Sequence, residues 1–180
     1  RTVTSTETPT KFTFSCWVKR SGLGTTQRLL SQTNNSTNQM YYRFEAGNTM
    51  TFWNQASSAT VLSFTTNRVF RDTSGWYHIL FKVDTTQATS SDRIKLYING
   101  VQETSFSAST YPSLNATLGS FSATDCKIDI GYQRASTNEY FDGLLSHLTL
   151  TTGYAYDATT FGSTDATSGE WVINTSPSVT

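Results

Sequence analysis

Alternation of apolar and polar residues runs along almost the whole chain and restricts its fold more than any other feature. Successive side chains of a β-strand point to opposite faces, so this pattern predicts strands with one buried face each. The clearest stretches are Phe12 to Lys19, Trp76 to Val83 and Ile94 to Ile98. A single short turn near Asp157 to Phe161 is the helical candidate. About ten short strands without helices between them predict an all-β antiparallel sandwich or barrel.

Asn99-Gly100 directly follows an alternating stretch and is the best two-residue hairpin motif of the chain. Such a turn needs positive φ at both residues, which asparagine and glycine tolerate. The well-patterned strands also give a predicted core, whose members alternate with polar neighbours. They are Phe14, Val18, Ile79, Phe81, Leu96, Ile98, Ile128 and Ile130.

Residues 41–53 predict a second hairpin, in which an Ala-Gly-Asn loop separates two alternating stretches. A three-residue loop places apolar residues opposite one another, whereas a two-residue loop breaks that match. The pairs in the favoured register are Tyr42 with Phe52 and Phe44 with Met50. Because strand side chains alternate faces, the residues between them must point the other way.

Charge and composition exclude several classes of protein. Lysine plus arginine and aspartate plus glutamate both total 13, so the formal net charge is zero and no basic stripe points to nucleic acid. Aromatic residues make up 13% of the chain, too many for a disordered one. No apolar run has the length of a membrane span, so we expect no membrane insertion. A surface wetted by hydroxyls and amides suits an extracellular location.

The length of 180 residues fits one domain with a substantial core. The chain opens at Arg1 and closes in a stretch rich in serine, threonine and proline, and both ends read as linkers. We therefore expect residues 1–180 to form a single domain of a longer polypeptide.

The two cysteines, Cys16 and Cys126, both lie on the apolar side of a predicted strand. The favoured interpretation is two buried free thiols that pack as small apolar groups, because a domain of this size does not need a cross-link. The alternative is one disulfide across the core, which would imply an oxidising compartment. Neither cysteine has the spacing of a zinc site.

Three groups of short motifs follow one another along the chain. They are Phe12–Arg20 with Leu29–Gln32, then Trp76–Ile79 with Lys95–Val101, then Ile128–Tyr132, Tyr140–Leu144, Phe161–Asp165 and Gly169–Val172. In this order they resemble the laminin-G-like branch of the concanavalin A-like lectin/glucanase superfamily. The closing stretch resembles the version found in structural proteins of tailed phages, especially marine ones. The resemblance implies a two-sheet antiparallel jelly-roll β-sandwich whose curved front face and rim loops often bind glycans.

Catalytic residues are not predicted. The related glucanases place their carboxylates on one strand as Glu-x-Asp-x-x-Glu, and glycoside hydrolysis needs such a flanking pair. Here Glu139 and Asp142 are three residues apart, and Asp129 has no carboxylate two residues away. No serine or cysteine nucleophile motif accompanies His78 or His147, which we interpret as packing or surface residues. We predict that the chain is not an enzyme.

Calcium is the one cofactor that the resemblance implies, and it would take oxygen ligands from loops. Relatives often carry acidic residues just after the Phe-Asp-Gly motif, but this chain reads Leu145-Ser146-His147 there. Asp142 remains, together with the loop acids Asp72 and Asp125. We predict no cofactor, with calcium at Asp142 as the weaker alternative.

A glycan-binding face is the main positive prediction, because sugars stack their C–H faces on exposed aromatic rings. Alternation assigns to the face opposite the core the candidate ligand-binding residues Tyr41, Arg43, Trp53, Trp17, His78 and Tyr97. On the 41–53 hairpin we expect Tyr41 and Trp53 to be diagonal neighbours on the solvent side, with Arg43 beside them. In the alternative, a loop such as residues 104–120 covers Trp17 and Tyr97, which then extend the core.

The function we predict from the resemblance is a non-catalytic virion-surface domain of a phage, on a tail fibre, head fibre or capsid appendage. Its partners would be a host-surface glycan or receptor and other virion proteins, and its parent assembly would make binding multivalent. One alternative is a purely structural module for virion assembly or decoration. Another is a carbohydrate-binding or adhesion module of a secreted cellular protein.

Overall fold

The computed structural model describes residues 9–118, 126–134 and 139–179. About half of the chain is strand and almost none of it is helix, which confirms the all-β prediction. The helical candidate is a single 3-10 turn at Ala158–Thr160, and a second such turn is Ser90–Asp92. No helix in the described ranges is long and apolar enough to cross a membrane. The strands are β1 (Lys11–Arg20), β2 (Gln27–Asn35), β3 (Asn38–Phe44), β4 (Met50–Ala56), β5 (Ala59–Thr66), β6 (Tyr77–Asp84), β7 (Ile94–Ile98), β8 (Val101–Glu103), β9 (Phe106–Thr110), β10 (Lys127–Ile130), β11 (Gly143–Thr152), β12 (Gly162–Thr164) and β13 (Trp171–Ile173).

Two antiparallel sheets form the sandwich. The front sheet has the strand order β10-β2-β3-β4-β5-β9, and the back sheet has the order β11-β1-β6-β7-β8. A short ribbon of β12 and β13 belongs to neither sheet. The arrangement agrees with the predicted jelly roll. Each sheet therefore has an inner face toward the core and an outer face, and the two outer faces lie on opposite sides of the molecule.

Stacked aromatic rings join the two inner faces. Phe14 of the back sheet lies 4.2 Å from Tyr42 of the front sheet, and Tyr42 lies 4.5 Å from Phe52, measured between ring centroids. Phe52 in turn contacts Phe81 at 4.7 Å. Close ring packing of this kind adds to the stabilisation from burial alone. Buried positions confirm six of the predicted core residues, namely Phe14, Val18, Ile79, Phe81, Leu96 and Ile98.

The prediction is wrong for Ile130, which is 54% exposed, while Ile128 is half-buried and packs against the core. The alternation of β10 is correct, but this strand lies at the edge of the front sheet and pairs with β2. Its last residue therefore lies at the rim of the core rather than beneath it. On the opposite face Asp129 is buried, because Arg134 of the following turn binds its carboxylate at 2.9 Å.

Both predicted hairpins are confirmed. Asn99 and Gly100 have φ of 50° and 76° and connect β7 to β8. A Cβ at Gly100 would overlap the indole ring of Trp171, so this glycine is needed for space as well as for φ. In the 41–53 hairpin, Tyr42 pairs with Phe52 and Phe44 pairs with Met50, as the three-residue loop predicts.

Cys16 and Cys126 are both buried and are not joined in a disulfide, in agreement with the favoured interpretation. Burial raises the pKa of the Cys16 thiol far above its ordinary value, so this thiol stays protonated. A protonated thiol is a poor nucleophile, and Cys16 therefore acts as a small apolar group in the core.

Candidate functional site

The predicted binding residues lie on two faces instead of one. Tyr41, Arg43 and Trp53 belong to β3 and β4 of the front sheet, whereas the other candidates belong to the back sheet. The core lies between the two groups, so the prediction of a single face is wrong. Alternation shows which side of a strand is buried, but it does not show which sheet the strand joins. The back-sheet candidates are Trp17, His78 and Tyr97.

His78 is fully buried between two tryptophan rings on the outer face of the back sheet. Its ring centroid lies 5.2 Å from that of Trp17 and 5.9 Å from that of Trp171. Trp171 Nε1 donates to His78 Nδ1 at 3.0 Å, so the proton of the neutral ring must sit on Nε2, which faces Ser15 Oγ at 2.9 Å. Burial lowers the pKa of His78 to about 4. His78 is therefore a neutral packing residue and is not free to contact a ligand.

Tyr97 is also partly covered. It packs against a small outer cluster formed by Leu80, Ala158 and Phe161, to which Trp171 contributes as well. The cover is thus the part of the chain that follows β11, which we call the C-terminal segment, and not the described part of the predicted loop, residues 104–118. This leaves Trp17 as the back-sheet candidate that still lines an open surface.

Tyr41 and Trp53 are neighbours, as the sequence predicted, but they lie directly opposite each other instead of diagonally. They are direct cross-strand partners, because pairing Tyr42 with Phe52 places their neighbours opposite each other. The rings stack at 4.9 Å between centroids with 26° between their planes. Tyr41 is only 9% exposed, so the prediction that it faces solvent is wrong, whereas Trp53 is half-buried.

Arginine side chains cover Tyr41 on the side away from Trp53. The guanidinium carbon of Arg28, which comes from β2, lies 3.9 Å from the centroid of the Tyr41 ring. Arg43 lies 4.6 Å from the same centroid. Attraction of a guanidinium to a ring face stabilises such a stack. Tyr41 therefore has Trp53 on one side and arginine on the other, which makes it a support for Trp53 rather than a contact surface.

Arg28 is the functional candidate that the sequence reasoning missed. Regular alternation from Leu30 would place Arg28 in the core, but the β2–β3 register shifts between these two residues and turns Arg28 to the outer face. Arg28 Nη1 is buried and has no hydrogen-bond partner, and the same is true of Ser31 Oγ on the same strand. A strand with a bulge carries no distinct mark in the sequence, so alternation could not have identified this position.

Ion pairs surround the Tyr41–Trp53 stack. Glu139 binds Arg28, and Arg43 binds Glu45 at 2.8 Å. Asp129 at the edge of the same face binds Arg134. Each of these three carboxylates therefore has a guanidinium partner, and their charges balance. No free carboxylate pair results among the described residues of this face.

Short side chains lie beside Trp53 on the strands that follow it, β5 and β9. Its partner on β5 is Ser63, and Ser63 faces Thr110 on β9, so short side chains follow the large ring. Thr51 and Thr65 form a parallel row, and their hydroxyl oxygens lie 3.0 Å apart. We call this surface the front trough: Trp53, Thr51, Ser63, Thr65 and Thr110. It places the half-buried indole of Trp53, stacked on Tyr41 on one side, beside a row of hydroxyl groups.

The described residues do not form a cluster of ligands for the calcium ion that the alternative proposed. Within the described residues, no three histidine, cysteine or acidic side chains are grouped to share a metal ion. Asp142 is exposed, and its backbone oxygen accepts from Ser21 N at 2.9 Å. The carboxylate of Asp72 accepts from Ser74 within its own turn. Asp125 lies outside the described residues.

Comparisons with known proteins point to one superfamily. The model of a family described as the concanavalin A-like lectin/glucanases superfamily matches residues 2–158. No curated protein sequence matches the chain. The sequence resemblance and the family match therefore agree on the superfamily.

Solved structures of sugar-binding and related domains have the same fold. Domain 4 of the extracellular arabinanase AbnA from Geobacillus stearothermophilus, in complex with arabinotriose, has a TM-score of 0.58 at 21% identity, over 83% of this chain and 64% of that one. The sialidase module CBM40 of Ruminococcus gnavus, bound to α2,6 sialyllactose, has a TM-score of 0.54 at 15% identity, over 83% and 79%. The SAP-like pentraxin of Limulus polyphemus has a TM-score of 0.54 at 14% identity, over 83% and 67%. At these identities the likeness shows the fold.

Proposed function

The chain belongs to the concanavalin A-like lectin/glucanases superfamily, and on that premise we propose that it is a non-catalytic glycan-binding module whose ligand stacks on Trp53. The observation that carries this proposal is the half-buried indole of Trp53, which stacks on Tyr41 on one side and has the short hydroxyl side chains of the front trough beside it. The C–H face of a sugar ring packs against such an indole, while the hydroxyls of Ser63, Thr65 and Thr110 meet the polar edge of the sugar.

The residues behind Trp53 support its role. The stack of Tyr41 and Arg28 holds the indole from the other side, so little side-chain freedom is lost when a ligand binds. Arg43, whose side chain is half-buried, adds a charged donor at the edge of the stack. Two of the similar structures contain arabinotriose and sialyllactose, which supports a sugar as the class of ligand.

The pairing of the carboxylates supports a binding role without catalysis. Glycoside hydrolysis needs an acid and a second carboxylate on either side of the scissile bond. Glu139, Glu45 and Asp129 are each held by an arginine, so none is placed to serve as that acid. We therefore expect no release of reducing sugar from any glycan that the front trough binds.

For the biological setting of this module we propose the surface of a virion. The chain would form part of a phage tail fibre, head fibre or capsid appendage, contact other virion proteins and bind a host-surface glycan or receptor in many copies. That setting rests on the resemblance of the closing stretch, and neither the family match nor the similar structures bear on it. The likeness to a domain of an extracellular arabinanase favours the second setting, a carbohydrate-binding or adhesion module of a secreted cellular protein.

A glycan array probed with the wild-type chain and Trp53→Ala tests the proposed function. We expect the wild type to bind at least one class of glycan and Trp53→Ala to bind it about tenfold more weakly, because one stacking partner is lost. Trp53→Phe, which keeps a ring, is the matched control and should retain most of the affinity. Unchanged binding by Trp53→Ala would overturn the proposal. The same array in a chelator tests the calcium alternative at Asp142, and binding that survives chelation shows that the trough acts without the metal.

A further inference from the structure

A second aromatic surface lies on the outer face of the back sheet, away from the front trough. It is a cleft of about 380 Å³, which is within the range of small-ligand pockets. We call it the tryptophan cleft, after the three indoles among the residues that line it: Trp17, Trp76, Trp171, Ser146, His147 and Val172. Three of the four tryptophans of the chain therefore surround one cleft.

Distant parts of the chain fix the walls of this cleft. Trp17 lies on β1 opposite Ser146 of β11, and Trp76 directly precedes β6. Trp171 comes from β13 and is held by its hydrogen bond to His78. The glycine at position 100 leaves space for its ring. The walls are thus rigid before any ligand arrives, which lowers the entropic cost of binding.

A β-bulge places a polar pair at the edge of the cleft. The β1–β11 register shifts between Ser15 and Trp17, which leaves His147 in the bulge with φ of 49°. Positive φ at a residue other than glycine costs free energy and is concentrated at functional sites, where bulges re-aim side chains. The imidazole is exposed, and its Nδ1 lies 2.6 Å from Ser146 Oγ.

Exposure of Trp76 shows that the cleft is open. Its side chain is 39% exposed, although the neighbouring His78 is fully covered by the C-terminal segment. Val172 on the opposite wall is exposed to the same degree. The part of the chain that the structure describes leaves this indole uncovered, so a ligand can reach it.

The chemistry of the lining selects the ligand. Among the described residues, no lysine, arginine, aspartate or glutamate lines the cleft, so an ionic ligand would find no partner of opposite charge in that lining. Ser146 and His147 hydrogen-bond each other, and the exposed imidazole adds a directional polar group at the edge of the indole faces. Indole faces beside a small number of directional polar groups match the alternating C–H and hydroxyl surfaces of a sugar ring.

We propose that the tryptophan cleft is a second glycan-binding site, specific for neutral pyranose sugars that stack on Trp76 and contact the Ser146–His147 pair. It lies on the opposite side of the core from Trp53, so one domain can hold two glycan chains. The two sites differ in charge, because arginines and carboxylates surround only the front one. This proposal does not depend on the function of the front trough.

Fluorescence of the Trp53→Ala variant isolates the second site, because all remaining indoles then line the tryptophan cleft. The probes are cellohexaose, maltohexaose and mannohexaose, followed by the neutral members of a glycan array. We expect a saturable change in emission with at least one neutral glycan. Adding Trp76→Ala should weaken that binding about tenfold, and Trp76→Phe should retain most of it.

Two outcomes separate this proposal from the proposed function. If Trp53→Ala binds none of the neutral glycans, the second site does not exist, whatever the wild type binds through its front trough. If Trp53→Ala binds a neutral glycan and Trp76→Ala does not weaken it, the tryptophan cleft is not the site. Circular dichroism of each variant checks the fold, which should be unchanged because Trp76 is exposed and outside the core.

Discussion

The outer faces of the two sheets have similar sequence patterns, but they differ in how far other parts of the chain cover them. On the front sheet, Trp53 is half-buried beside short hydroxyl side chains, and arginines neutralise the carboxylates around it. On the back sheet, the C-terminal segment covers His78 and Tyr97, and the open surface is displaced to the tryptophan cleft. The difference shows that a later segment of the chain can remove aromatic residues of an outer face from contact with solvent and, at its edge, form a new cleft with them.

The core beneath both faces should give the largest effect on stability. Phe81 is buried and contacts the rings of Tyr42 and Phe52, so Phe81→Ala removes packing that joins the two sheets. We expect the free energy of unfolding to fall by about 3–5 kcal/mol in urea titrations. A loss below about half a kilocalorie would mean that this strand does not face the core.

The C-terminal segment buries His78 on the back sheet, and this burial should make the free energy of unfolding depend on pH. Its pKa is about 4 in the folded chain, against an ordinary value of 6.5. The unfolded chain therefore gains a proton near pH 6.5 while the folded chain does not, so stability is complete above that pH and falls as the pH drops toward 4. The shift corresponds to roughly 3 kcal/mol.

Urea unfolding between pH 7.5 and 4 measures this loss, with His78→Gln as the test. The variant should lack most of the decrease between pH 6.5 and about 4. His147→Gln, which removes the exposed histidine instead, should retain the decrease of the wild type. Equal slopes for the wild type and His78→Gln would show that the C-terminal segment does not bury this imidazole.

The contact between the Asn99-Gly100 turn and Trp171 can be tested by substituting two glycines and comparing their effects on stability. Gly24 and Gly100 have φ of 80° and 76°, but a Cβ at Gly24 meets no atom within 4 Å, whereas one at Gly100 overlaps Trp171. Gly24→Ala should cost about 1–2 kcal/mol for the conformation alone. Gly100→Ala should cost about 1–3 kcal/mol more in the same urea titration, because the ring must move. Equal costs would mean that Trp171 does not pack on the turn.

The comparison of the two faces also shows what the sequence can predict. The register of the 41–53 hairpin and the Asn99-Gly100 turn were predicted correctly, because pairing and turn chemistry are local. The side of each strand that faces the core was also correct for β1, β6 and β7. Local patterns therefore define the two sheets well.

Contacts between distant segments were not predictable in the same way. Trp171 and His78 are 93 positions apart, and nothing in the pattern of either stretch indicates that one covers the other. Arg28 was missed because a bulge reverses its face, and Ile130 was misplaced because its strand lies at an edge. The candidate sites depend on these contacts more than the fold does, which is why the predicted single face was divided between two sheets.

Removal of Trp53 should have the smallest effect on stability of all these changes. The indole lies outside the core, it is half-buried, and it contacts Tyr41 on one side only. Trp53→Ala should therefore cost less than about 1 kcal/mol, the size of one stacked pair at a partly exposed position, and Tm should change little. Thermal unfolding followed by circular dichroism measures this loss, and Trp53→Phe, which keeps the stack, should cost less still. A loss as large as that of Phe81→Ala would mean that Trp53 is part of the core, and the front face would then resemble the covered back face instead of forming a site.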